Sequence, residues 1–154
     1  MNPQPKPRED YDIRVIPTAD TVPLRISVLR PGRPLEAAQF PGDEEPTTRH
    51  FGAFDRGALV GIATLLRAPL PEQPGPTALQ LRGMATAPEV RGHGHGRELV
   101  HRCIAFTREQ KVELLWCNAR VVALGFYRKL GFEIIGGEFE VPDVGPHFRM
   151  WLRI

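Results

Sequence analysis

Apolar positions recur along this chain in two rhythms. Alternation at every second residue marks Tyr11–Ile16, where Ile13 and Val15 share a face expected to avoid water, and Ala78–Thr86, where Leu79 and Leu81 oppose Gln80 and Arg82. His50–Phe54 and Ala58–Leu66, joined through Asp55-Arg56-Gly57, predict a hairpin with a glycine-bearing turn. Helical spacing runs from about His95 to Lys111, with Leu99, Cys103 and Phe106, and the adjacent Val100 and Ile104, as the buried stripe. It returns over Ala119–Leu130, packing Ala123, Phe126 and Leu130, with Gly131 as its stop. Between these helices Val112–Cys117 is apolar except for Glu113, which predicts a strand buried on both faces. Phe132–Val141 and His147–Arg153 read as closing strands, linked by Pro142-Asp143-Val144-Gly145-Pro146.

Nearer the N-terminus, Asp20 or Thr21 predicts the cap of a helix reaching Leu29, with Pro23 in its first turn and Arg25 and Arg30 along it. Two stretches lack any rhythm. Pro31–Arg49, which contains Asp43-Glu44-Glu45, and Pro69–Pro76 are expected to be loops, and a loop as long as the first is usually functional or disordered. Residues 1–10 are proline-rich and charged, so a mobile tail is expected there, followed by one mixed α/β domain over residues 11–154. No internal repeat or domain boundary interrupts that pattern.

Composition narrows the class without naming a function. With 42% hydrophobic and 25% charged residues in 154, the chain reads as an ordinary soluble globular protein. A net charge of +2, with no basic stripe interleaved with aromatics, argues against a nucleic-acid partner. No apolar run is long enough to span a membrane, and the N-terminus does not resemble a signal peptide. Cys103 and Cys117 fit no metal spacing and lie in apolar stretches, so they are expected to be core thiols in a reducing compartment, the cytoplasm.

The chemistry concentrates in Val90-Arg91-Gly92-His93-Gly94-His95-Gly96-Arg97, between a strand and a helix. Alternate glycines let backbone approach a ligand closely, and the helix start offers unpaired N–H groups and a positive dipole end, which together suit phosphate. A dinucleotide fingerprint fails in both registers, because Leu99 or Arg97 stands where the third glycine belongs. The Gly-Lys-Ser/Thr ending of a nucleotide phosphate loop is absent. His93 and His95 lack the further ligands a metal site needs, so no metal is expected.

Arg91-x-x-Gly94-x-Gly96 after a strand, followed one helix and one strand later by the Ala119–Phe132 stretch with Phe126-Tyr127 and Gly131-Phe132, resembles the paired signatures of the GNAT family of N-acetyltransferases. The likeness covers roughly Leu59 to the C-terminus. It implies a mixed, mostly antiparallel sheet of about six to seven strands flanked by helices and splayed at an acetyl-CoA site. Gly92, His93, Gly94, His95, Gly96 and Arg97, with Arg91, would then hold the pyrophosphate. Met84, Ala85 and Thr86 would pair with the pantetheine arm beside a bulge at Gly83, with an N–H of Met84 or Ala85 facing the developing oxyanion. Asn118 and Phe126 would complete the cofactor contacts; Asn118 is also a possible cap for the following helix.

Tyr127 falls at the family's general acid. A phenol of pKa about 10 stays protonated at neutral pH and can donate to a thiolate near 8.5. The general base is left open among His147, Glu138, Glu140, His50 and water. Asp43–Glu45 would attract a cationic amine, whereas Arg25, Arg30 and Arg82 would hold an acceptor carboxylate, and these readings oppose one another. The expected function is transfer of an acetyl group from acetyl-CoA to a primary amine of a small molecule or peptide. The competing class is an acyl-CoA-binding sensor or interaction domain without turnover. A homodimer through the last strands is a further expectation.

Overall fold

A computed structural model of the chain describes residues 11–154; the tail expected over residues 1–10 lies outside the described residues. Seven strands form one sheet in the order β1-β2-β3-β4-β5-β7-β6. They are β1 (Tyr11–Ile16), β2 (Arg49–Asp55), β3 (Ala58–Arg67), β4 (Ala78–Thr86), β5 (Leu114–Arg120), β6 (Glu133–Val141) and β7 (Gly145–Arg153). Every pairing is antiparallel except β4 with β5, and the helix that makes this crossover is α2 (His95–Glu109).

The hairpin from β2 to β3 turns at Arg56 and Gly57, which both have positive φ, the geometry of a tight turn matched to strand twist. Leu99, Val100, Cys103 and Ile104 of α2 are buried against the sheet, as the apolar stripe predicts, while Phe106 stays partly covered. β5 is buried from Leu114 to Cys117, as befits an interior parallel strand. At the opposite edge Val15 departs from its expected burial and is 55% exposed. Among the described residues β1 pairs with β2 alone and forms an edge of the sheet.

Three boundaries differ from expectation. β5 continues to Arg120, so Asn118 pairs across to Arg149 within the sheet and caps no helix; a short turn at Val121–Ala123 precedes α3 (Leu124–Lys129). The long stretch before β2 is a chain of hydrogen-bonded turns with a short helical segment at Leu35–Ala38. Finally, α1 (Thr18–Leu24) starts after Pro17, without a side-chain cap from Asp20 or Thr21, and Pro23 lies inside it. It widens into a π turn over Arg25–Leu29, closed by Arg30 N–H donating to Arg25 O at 2.9 Å. In a regular helix of about 3.6 residues per turn, positions five apart point in different directions, whereas a π turn brings them to one side. Arg25 and Arg30 accordingly converge on the ring of Phe40.

Candidate active site

β4 and β5 pair only from Ala78↔Leu114 to Leu81↔Cys117. Beyond that point β4 follows β3 and β5 follows β7, so their facing edges part. The cause is local to β4. Gly83 and Met84 together stand opposite the single residue Ala63 of β3, and Gly83 takes φ +60° to make this bulge. A Cβ there would stand 3.3 Å from Arg25 Nε and 3.4 Å from Phe40 Cε2, so glycine is required by both conformation and space.

The parted strands open a cavity of about 490 Å³. Met84, Ala85 and Thr86 form one wall and Asn118, Ala119 and Arg120 the other, with Tyr127 also in the lining. Val28, Leu29, Arg30, Phe40 and Pro41 form a wall of α1's π turn and the following loop, joined by Val144 and His147 of the β6–β7 hairpin. A second cavity of about 370 Å³ shares Thr86 and Arg91 with the first and is lined by Gly92, Gly94, Gly96, Arg97 and Phe126. Gly94, the N-cap of α2, has no side chain to cap the helix and at φ +89° holds the entry in the left-handed region. Glu98 N–H already donates to Gly94 O, and the N–H groups of Gly96 and Arg97 before it have no acceptor within the helix.

The two loop histidines have other work. His93 N–H donates to Val90 O at 3.1 Å, and His93 lines neither cavity. The His95 ring is 1% exposed, 3.0 Å from Asp55 Oδ2 and edge-on to Tyr11, so its side chain anchors the loop to β1 and β2. Its backbone still faces the second cavity. Among the described residues no cluster of His, Cys, Asp or Glu could hold a metal ion.

Tyr127 is 6% exposed, packed edge-on between Phe126 and Phe132 at 5.1 and 5.4 Å. Burial pushes its pKa well above the ordinary phenol value, with the nearby Cys117 and Cys103 adding to the shift, so the hydroxyl is a proton donor throughout the neutral range. Cys103 and Cys117 are free thiols; burial raises Cys103 to about 12 and Cys117 further, and both are unreactive core groups.

Of the four side chains proposed as base, only His147 lines the cavity. Its Nδ1 lies 2.8 Å from Gly145 O, which can only accept, so Nδ1 carries the proton and Nε2 keeps the lone pair. Glu138 and Glu140 are exposed on β6, outside the cavity. His50 is buried elsewhere: Nε2 lies 3.2 Å from Asp43 O, so it is the protonated nitrogen, and Nδ1 accepts from Thr64 Oγ1 at 2.8 Å. Burial holds His50 below its usual pKa and the ring is neutral, but its lone pair is occupied.

Neither acceptor reading survives intact. Asp43 is 8% exposed; its Oδ2 accepts from Arg25 Nη1 at 2.7 Å and from Phe40 N–H at 3.0 Å. Its Oδ1 accepts from Arg25 Nη2 and Arg82 Nη2, each at 3.1 Å. Asp43 is therefore a buried counter-ion with no oxygen left for an amine, and Arg25, wholly buried, is a structural residue with no access to substrate. Arg30 and Arg82 do reach the cavity. Nothing in the sequence pattern distinguishes Asp43 from Glu44 and Glu45, because its burial depends on a π turn and a strand distant in the chain.

A splayed parallel pair stands beside a glycine-led helix start, and a profile of the acetyltransferase (GNAT) family matches residues 20–132. The chain belongs to this family. It is thus an acyltransferase, which decides against a domain that only binds. This GNAT chain is 32% identical over 140 residues to YitI of Bacillus subtilis, an uncharacterized N-acetyltransferase, covering 91% of this chain and 94% of that one. It is 31% identical over 136 residues to the N-alpha-acetyltransferase RimI of Mycobacterium tuberculosis, covering 77% and 84%. Its GNAT fold also matches a chain in the crystal structure of the NatC complex bound to Gag peptide and CoA, with TM-score 0.75 at 16% identity over 94% of this chain and 99% of that one. No helix among the described residues is long and apolar enough to cross a membrane.

Proposed function

We propose that this enzyme moves an acetyl group from acetyl-CoA to a primary amine by direct attack. The observation that carries the reading is the parting of β4 from β5 immediately before the uncapped start of α2. Bound acetyl-CoA would supply an activated thioester. On the chain's side, the first-turn N–H groups of α2, with Arg91 and Arg97, suit a pyrophosphate. The free edge of Met84–Thr86, with Asn118 opposite, suits the amides of the pantetheine arm, and an N–H at the Gly83 bulge suits the oxyanion. Tyr127 donates a proton to the departing sulfur, and His147 Nε2 accepts one from the amine, directly or through water. Two free buried thiols suit a reducing compartment such as the cytoplasm.

Calorimetry with acetyl-CoA, followed by a thiol-release screen over amines, tests the reading. Saturable binding and acceptor-dependent release of CoA are expected; absence of binding at millimolar acetyl-CoA would overturn it.

A further inference from the structure

We infer that the acceptor amine bears a carboxylate of its own, held by Arg30 and Arg82 with Arg120 beside them; the inference deepens the acetyltransferase reading and rests on it.

The lining of the larger cavity contains four guanidiniums, from Arg30, Arg82, Arg91 and Arg120, and no Asp or Glu. Arg91 also lines the glycine-loop cavity and is the one suited to the cofactor's phosphates. Of the other three, Arg30 and Arg82 flank Phe40, and Arg120 lies close enough to Arg30 to repel its charge. Arg30 and Arg82 lie 5.5 and 5.6 Å from the Phe40 ring centroid, with Arg25 closer behind at 4.0 Å.

Positive charge exceeds negative in this cluster. Asp43 is the single carboxylate paired with both Arg25 and Arg82, so one guanidinium charge is left over. Arg82 Nε is buried without a partner among the described residues, a donor that a bound anion can satisfy. Arg30 and Arg120 form no ion pair among the described residues. Burial and the repulsion of Arg120, Arg33 and Arg25 push the Arg30 pKa below its ordinary value. Arg33 is compensated by Asp143 at 3.1 Å, so the charge still seeking a partner lies at Arg30 and Arg120.

A planar guanidinium matches a carboxylate bidentately, which makes a carboxylate a better occupant than a halide-like point charge. The same field repels an alkylammonium that brings no anion with it. For an amine carrying its own carboxylate, the guanidiniums retain the acid group and disfavour the ammonium form, so the neutral nucleophile is reached more easily. The acceptor class that fits is a free amino acid or another small aminocarboxylic acid. A peptide N-terminus offers no such carboxylate beside its amine.

The test uses the full chain with acetyl-CoA and three matched series: free L-amino acids, their α-carboxamides, and the decarboxylated amines. At least one free acid should be acetylated with kcat/KM ten-fold or more above its amide, and should raise the melting temperature in the presence of CoA. Arg30→Ala should abolish that preference and raise the acid's KM ten-fold or more, with acetyl-CoA binding and melting temperature of the apoenzyme unchanged; Arg30→Lys should restore part of it. Amides, simple amines or peptides turned over as well as the acids would overturn the inference while leaving the acetyltransferase reading standing, as would an Arg30→Ala enzyme with the preference intact. The inference also falls if no aminocarboxylic acid is acetylated or shifts melting. Failure to bind acetyl-CoA would instead overturn the underlying reading.

Discussion

Arg25 Nη1 and Asp43 Oδ2 meet at 2.7 Å with side chains that are 0% and 6% exposed. The pair joins the π turn after α1 to the loop before β2, and Arg25 Nη2 extends it at 3.0 Å to Thr64 of β3. Removing one partner strands a buried charge, which costs far more than the pair's net contribution. Asp43→Asn should lower stability by about 3 kcal/mol, near the bottom of the range for breaking buried pairs because the amide keeps part of the hydrogen bonding. Burial alone would raise the Asp43 pKa, but hydrogen bonds from Arg25, Phe40 N–H and Arg82 outweigh it and hold the carboxyl below its ordinary value. Its contribution is therefore complete above the unfolded value of about 3.9 and is lost as pH falls below it. Urea titrations from pH 2.5 to 7 should show a steeper acid loss in the parent than in Asp43→Asn; parallel curves would contradict the assignment.

His50 adds a second, separate pH dependence. Its folded pKa is depressed, chiefly by burial, so the neutral ring stabilises the fold fully above the unfolded value of about 6.5. Stability should decline as pH falls from 6.5 toward the lower folded value. His50→Gln should flatten the melting temperature between pH 5 and 7; an unchanged slope would remove His50 as its source.

Gly83→Ala places a side chain at φ +60° and a Cβ 3.3 Å from Arg25 Nε. A non-glycine residue in such a conformation costs about 1–3 kcal/mol. We expect a lower melting temperature together with weaker acetyl-CoA binding, because the bulge shapes the free edge of β4. Gly75→Ala, where a Cβ meets nothing within 4 Å, serves as the control and should alter neither.

Tyr127→Phe keeps the ring between Phe126 and Phe132 and removes only the proton donor. Loss of general acid catalysis should slow turnover by about 100-fold or more while calorimetric acetyl-CoA binding persists. His147→Gln should lower kcat while calorimetric acetyl-CoA binding persists. Equal kcat in parent and Tyr127→Phe would show that the sulfur leaves without help from this residue.

The elements around the β4–β5 opening were largely legible in the sequence. The alternation of Ala78–Thr86, the glycine loop and the Phe126-Tyr127 helix are local patterns, and local patterns survive translation into three dimensions because dihedral preference and periodicity act over a few residues. The charged cluster around Phe40 was not legible. Phe40 and Asp43 sit in a stretch without rhythm, and their meaning comes from Arg25, Thr64 and Arg82, which reach them from three other elements. The burial of the His95 ring was hidden for the same reason, since its partner Asp55 lies 40 residues earlier.

By itself, then, the sequence determined the family, the order of strands and helices, the bulge-forming glycine and the glycine-led helix start, all encoded in short-range spacing. Only the tertiary structure decided which charges are spent and which are left over. Charge compensation depends on distance through space: Asp43 is consumed by two arginines and His50 by Thr64 and a backbone carbonyl, while Arg30, Arg120 and His147 line the cavity.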